Sequence, residues 1–381
     1  MAHSAAPPHA PTATSPPSAE APPVRWRRCL GLFLLGPLGY GLLWLGQQHP
    51  EWVELHYSHG LYRGIQTGLA TAASWSPIQV GELLLLLGIG TCVWRPVRGL
   101  WRWWHGQARL GNLLAHAGAK LLATAGVLLF LFVVLWGLNH ARLPVASQLG
   151  LSPRPATKAA LARTAERLAE RAAAARPADF DPVPLPADWR DRVAAAYAAA
   201  GQDCPGLAGP PPPLRAAWIS PLLTLASTTG IYCPFTGEPN VNAEPPGVLV
   251  LAVACHEVAH LRGFAREDEA NFLAWWVGSR APDAALRYAA ELFAWRYVMG
   301  ELSWRDVPAW HRLMNAAPVA LRADVDAIRD FWDRQPKTAT VVLTSVATAT
   351  NHTYLRSAGH SDGVRSYGRM VDLLIAALDG N

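Results

Sequence analysis

Three long apolar stretches dominate the first 140 positions of the chain, at about 29–46, 77–94 and 119–138, and none of comparable length follows. A helix rises 1.5 Å per residue, so about 20 apolar residues cross a hydrocarbon layer about 30 Å thick. Each stretch therefore predicts a membrane span. The first, Cys29 to Gly46, is broken only by Pro37 and glycines, and follows Arg25, Arg27 and Arg28. Its exit, Gln47-Gln48-His49-Pro50-Glu51, has no small-residue cleavage site, which predicts a retained helix and not a signal peptide. Residues 1–23 lack any apolar period and predict a disordered cytoplasmic tail.

Beyond residue 140 the apolar runs Gly247–Cys255, Ala270–Gly278 and Val341–Val346 are too short to span and predict core helices. Helical periodicity covers Thr157–Ala175, 187–200 and Ala285–Glu301, proline clusters at 182–186 and 210–213 mark connections, and a short strand is expected around 230–243. The pattern predicts a mainly α protein: a membrane domain over 24–140, then a mostly helical domain over 141–381 with little β.

Composition agrees. Of 381 residues 51% are hydrophobic and 16% charged, against roughly 25% charged in an average soluble protein. The net charge of +5 is too small to suggest nucleic acid, and the basic residues sit beside the spans. The stretch 95–120 holds Arg95, Arg98, Arg102, Arg109 and Lys120 and no acid, whereas 47–76 holds Arg63 against Glu51 and Glu54. By the positive-inside bias the N-terminus and 95–120 are expected to be cytoplasmic and the C-terminal domain extracytoplasmic. Glu82, near one end of the second span, is expected to be solvated at the interface. The five cysteines form no CxxC motif; outside the cytoplasm Cys204 and Cys233 could be bridged.

The chemistry is concentrated in His256-Glu257-Val258-Ala259-His260, an HExxH motif in a helical segment. Residues four apart share a helix face, so both imidazoles can hold one zinc ion, with Glu257 placed to take a proton from water. A third ligand is sought among Glu267 and Glu269. On an unbroken helix Glu267 would lie about 10 Å too far along the axis, so the chain must turn, and Gly263 can supply the turn. A second helix from about Ala265 places Glu267 and Asn271 on one face, which favours Glu267 as ligand and Asn271 as hydrogen-bond partner of a ligand imidazole. Glu238, Asn240 and Asn242 lie in an extended segment that could meet a peptide substrate by strand addition. Tyr354, Tyr367, His352 and Arg365 are candidate oxyanion donors, with Tyr367 the first to test.

HExxH, a glycine, then a glutamate followed four residues later by asparagine resembles the gluzincin-type zinc metallopeptidases. More closely, Trp136-Gly137-Leu138-Asn139, the run Gly230 to Asn242, His256 to Asn271, Tyr354-Leu355 and Gly363 to Gly368 resemble a bacterial multi-pass membrane family known as domain of unknown function 3810. The resemblance implies a zincin-like extracytoplasmic domain and a membrane-anchored zinc peptidase acting on a peptide or protein substrate. The alternative is a non-catalytic envelope protein with a structural zinc, for which Cys255 is the nearest extra thiolate. A transporter is disfavoured, because the spans carry few polar residues.

Overall fold

The computed structural model describes residues 26–336 and 366–379. The three apolar stretches form helices Trp26–Gln48, Val80–Trp104 and Leu110–Leu135, each long and apolar enough to cross a membrane. The second runs ten residues beyond Trp94, through Arg95, Arg98 and Arg102. Hydrophobicity stops at the arginines, but the hydrogen-bond ladder continues until the chain turns at Gly106, which has φ +66°. The long arginine stems can lie along an apolar surface while their heads reach water.

The first and third span helices pack together through Gly36, Gly39 and Gly126. A β-carbon at Gly126 would lie 2.6 Å from the Leu32 carbonyl oxygen, so only glycine permits this backbone approach. The second span stands apart, with Leu83 to Leu87, Trp94 and Trp101 exposed.

The segment 47–76 is not the loop expected between the first two spans. It is helical over Pro50–Trp52, Val53–Leu61 and Tyr62–Trp75, the middle stretch with π-helical bonding, and it packs on the 3-10 turn Gly137–Ala141 that follows the third span. The buried Glu54 fixes it there: its carboxylate accepts from Arg142 Nη2 at 2.7 Å, Arg142 Nε at 3.1 Å, the Leu143 amide at 3.1 Å and His59 at 2.8 Å. Burial alone would raise the Glu54 pKa, but the hydrogen bonds and charges of His59 and Arg142 outweigh it and hold the group at about 2.

Strand β1 (Arg215–Ala216) pairs parallel with β3 (Glu238–Val241), which pairs antiparallel with β2 (Gly230–Cys233), giving the order β1-β3-β2. This sheet holds the entry to the second span. Glu238 is fully buried and accepts from the Val80 and Gly81 amides at 2.9 and 2.6 Å, two of the helix's otherwise unpaired N–H groups. Glu82 is likewise buried, not solvated, and accepts from the Ile219 amide at 3.1 Å.

The remaining helices enclose one large core. Gly247–Leu261 is buried along nearly its whole length between Glu267–Gly278, Ala284–Arg305 and β3. Around them lie Lys158–Ala175, Trp189–Asp203 and the C-terminal helix Ser366–Asp379. Cys204 and Cys233 are free thiols, so the bridge considered from sequence is not formed. The tail 1–23 and the run Val341–Val346 lie outside the described residues.

Candidate metal centre

The helix Gly247–Leu261 can be buried on all sides because its only polar side chains are the motif residues at its C-terminal end. It stops at a glycine-dependent cap. Gly263 has φ +84°, the Phe264 amide bonds back to the Ala259 carbonyl at 3.0 Å, and the Gly263 amide bonds to the His260 carbonyl at 3.0 Å. This paired return of bonds closes helix ends when a glycine adopts the left-handed conformation. The chain reverses, and the next helix begins at Glu267.

The reversal brings three ligand groups together. His256 Nε2 and His260 Nε2 lie 3.0 Å apart, and the Glu267 carboxylate oxygens lie 3.4 Å from the first and 3.5 Å from the second. All three ligand atoms fall within 4.8 Å of one another. A tetrahedral zinc with bonds of about 2.0–2.1 Å holds its ligand atoms about 3.3 Å apart, so this spacing fits such an ion. His260 Nδ1 lies 2.8 Å from the Phe264 carbonyl oxygen. Because a carbonyl only accepts, Nδ1 carries a proton, which leaves Nε2 as the nitrogen available to a metal ion.

The electrostatics favour a cation. Burial would lower the His260 pKa, but the Glu267 charge and hydrogen bond, the Glu257 charge and the Phe264 carbonyl raise it to about 9. Glu267 shows the reverse balance: burial would raise it, and His260 with His256 holds it well below its ordinary value. Its side chain keeps 36% of its surface exposed, so one side of the cluster reaches solvent.

Glu257 lies beside the ligands but not among them. It is buried, its Oε2 has no hydrogen-bond partner among the described residues, and burial raises its pKa, an effect that His256 and His260 partly offset. The first residue of β2 makes room for it. A β-carbon at Gly230 would lie 2.8 Å from the Glu257 carboxyl carbon, so a larger residue there would push the carboxylate aside.

Of the two glutamates considered, the preferred Glu267 joins the histidines and Glu269 does not; the buried Glu269 carboxylate accepts from the Val145 amide at 2.9 Å and Arg266 Nη1 at 2.8 Å. Other expectations are corrected. Asn271 is buried but bonds neither ligand imidazole: Phe264 partners His260, and His256 Nδ1 has no partner among the described residues. Glu238 is occupied by the second span, and Asn242 is turned inward to Thr224 Oγ1 and the Thr228 carbonyl, at 2.8 and 3.1 Å. Asn240, on the central strand, is also buried. None of these three side chains is exposed. Tyr367 falls in the first turn of the Ser366–Asp379 helix, two residues ahead of Arg369, whose guanidinium bonds Asp268 at 2.8 Å. The Tyr367 side chain lies outside the described residues, as do His352, Tyr354 and Arg365. Cys255 is completely buried, and that burial pushes its thiol up to about 12.

The spans supply part of the site's wall, which the motif did not reveal. Trp136, the first residue after the third span helix, donates from Nε1 to the His260 carbonyl at 2.9 Å and sets its ring edge-on to that imidazole. Tyr62 donates to the Leu261 carbonyl at 2.8 Å. Tyr62 thus satisfies a carbonyl that the helix end leaves unpaired, and Trp136 adds a second donor to the His260 carbonyl beside the Gly263 amide. The only sequence signal for them is that Trp136 opens a Trp-Gly-Leu-Asn block, whose Asn139 carboxamide oxygen accepts from Ser58 and lies beside Gly263.

Comparison with known proteins adds one finding. A family described as "Protein of unknown function (DUF3810)" matches residues 57–375. The chain belongs to that family. The match includes most of the interspan helical segment, the second and third spans, the sheet and the His256–His260–Glu267 cluster. No curated protein and no solved structure matches the chain.

Proposed function

We propose that the protein is a membrane-anchored, zinc-dependent peptidase acting on an envelope protein or peptide. The observation that best supports this reading is the convergence of His256, His260 and Glu267 beside Glu257, a buried carboxylate with an unused oxygen. The gluzincin likeness is one of motif alone.

Zinc, when held by these three side chains, supplies a Lewis acid and makes a neighbouring water more acidic at neutral pH. The chain's own groups do the rest. Glu257, whose burial raises its proton affinity, takes the proton as water attacks the carbonyl carbon and hands it to the departing amine nitrogen. Phe264, through its carbonyl, keeps His260 in the orientation and tautomer the ligand role needs. β2 is an edge strand that begins against Glu257, so its backbone can pair with an extended substrate. This shifts the substrate-binding role from Glu238, Asn240 and Asn242 to Gly230–Cys233.

The structural-zinc alternative needs a closed, four-ligand site. Among the described residues no fourth His, Cys, Asp or Glu joins the group, which favours the open, catalytic arrangement. The Lys/Arg distribution favours an extracytoplasmic site, and the family resemblance favours a bacterial cytoplasmic membrane.

Purified protein is expected to carry about one zinc per chain. Glu257→Gln is expected to keep that zinc while envelope proteins or peptides cleaved in wild-type cells accumulate uncut. An X-ray absorption spectrum showing four protein ligands and no water, or a Glu257→Gln strain whose cleavage products match wild type, would overturn the proposal.

A further inference from the structure

Several of the large apolar side chains exposed outside the span helices gather where the second span begins. Trp75, 83% exposed, and Ile78 precede the second span, while Trp218 and Leu222 follow β1. Scattered exposed apolar residues are ordinary, but these are held together by hydrogen bonds. Arg215 Nη2 donates to the Ala73 and Ser76 carbonyls at 2.7 and 2.5 Å, and Gln79 bonds both the Ala216 carbonyl and the Trp218 amide. The Ile219 amide bonds Glu82. Residues 215–219 are thus pinned to the first turn of the second span, and Ile219 lies level with Glu82, one residue before the exposed run Leu83 to Leu87. The short helix Ser220–Leu225 continues from that level with Leu222 outward. The charged residues of 75–82 and 215–225 are Glu82 and Arg215, and both are turned into these hydrogen bonds.

We propose that Trp75, Ile78, Trp218, Leu222 and the exposed Ile231 of β2 form a bilayer-contacting surface, seated in the headgroup and upper acyl layer where the second span enters the membrane. Lipid is the occupant because the patch is continuous with lipid-suited span surface, offers no free charge to water, and carries tryptophans, which favour the interface. The same geometry sets the height of the metal centre. Gly230 lies against Glu257 and Cys233 of the same strand lies against Gly81. Three steps of extended strand at about 3.3 Å each put Glu257 about 10 Å from the span's first turn. The patch holds the site at bilayer level, and this depends on the spans crossing a membrane, not on the peptidase reading.

Two measurements on the full-length protein in phosphatidylethanolamine/phosphatidylglycerol vesicles test the proposal. Wild-type protein is irradiated with a photoactivatable phospholipid and lipid adducts are mapped by mass spectrometry; adducts are expected on 215–225 as well as on the span Val80–Trp104. In a variant lacking the native cysteines, Leu222→Cys carries an environment-sensitive fluorophore, and Val319→Cys, exposed on a helix that packs on no span, serves as control. The Leu222 probe is expected to show blue-shifted emission, quenching by lipid brominated near the headgroup and protection from iodide, with the reverse at Val319. Adducts confined to the spans, or iodide quenching at Leu222, would overturn the proposal. So would shielding from both quenchers, as cover by residues 337–365 or by a second copy would give. Zinc content plays no part in either readout, so failure here leaves the metal reading standing, and the converse.

Discussion

At the scale of single residues, two positions control what the site and its support can tolerate. Gly230 has no side chain because the Glu257 carboxyl fills the space where one would stand. On the proposed mechanism, Gly230→Ala should leave His256, His260 and Glu267 in place but displace Glu257. The expected outcome is unchanged zinc content with turnover of an identified substrate reduced about 100-fold, the order of loss that an ångström of misplacement produces; metal analysis alongside rate measurement checks it. Glu54 lies farther from the chemistry and governs stability. Its folded pKa of about 2 lies below the ordinary value of 4.5, so its pairing with Arg142 and His59 stabilises the fold fully above about pH 5 and is lost as pH falls from there toward 2. Glu54→Gln should cost about 3 kcal/mol, because it leaves the buried Arg142 without its counter-charge. It should also flatten the acid limb of the stability profile, read by thermal unfolding in detergent between pH 3 and pH 7.

At the scale of elements, the site is a helix end. A buried apolar helix brings two histidines to its last turn, a glycine in the left-handed region reverses the chain, and the first residue of the next helix returns a carboxylate to the pair. The turn also places the Phe264 carbonyl on His260, so one backbone conformation sets both the approach of Glu267 to the histidines and the hydrogen bond that orients the His260 ring. Gly263→Ala must either hold a positive φ or unwind the cap, and its β-carbon would lie 2.8 Å from Tyr62 Cε1. The expected cost is about 1–3 kcal/mol of stability. Zinc should bind more weakly as well, as measured by competition with a chelator. If affinity stays at the wild-type level, the turn is not what brings Glu267 to the histidines.

At the scale of the whole molecule, the membrane part and the part that carries the His256–His260–Glu267 cluster are one folded body. Trp136 and Tyr62 complete the end of the motif helix, Arg142 bonds the Gly263 carbonyl, and Glu238 of the sheet caps the second span. Residues 141–381 expressed without the first 140 should therefore fail to form a stable domain. The fragment is expected to be digested rapidly by protease and to hold zinc poorly, where the full chain in detergent resists and retains it. A well-folded, zinc-loaded fragment would show instead that the boundary read near residue 140 is a true domain border.

The sequence by itself determined the helical class, the three spans and the two histidines, because these depend on local quantities: run length, a period of 3.6 and a spacing of four within one helix. It also pointed to Gly263 as the turn, since only a residue tolerant of positive φ can end a helix that way. What it did not determine depends on contacts between distant segments. Glu267 and Glu269 are both acidic and two positions apart; the docking of the second helix sends the first to the histidines and the second to Val145 and Arg266. Glu238 and Glu82 carry chemistry that suits substrate or solvent, and the approach of the sheet to the start of the second span turned both into anchors. The segment 50–75 carries no strong apolar run, yet it folds as a helix because Glu54, Tyr62 and Ser58 find partners more than eighty residues away. Pairings across such separations leave no mark in local pattern, and only the assembled structure fixed them.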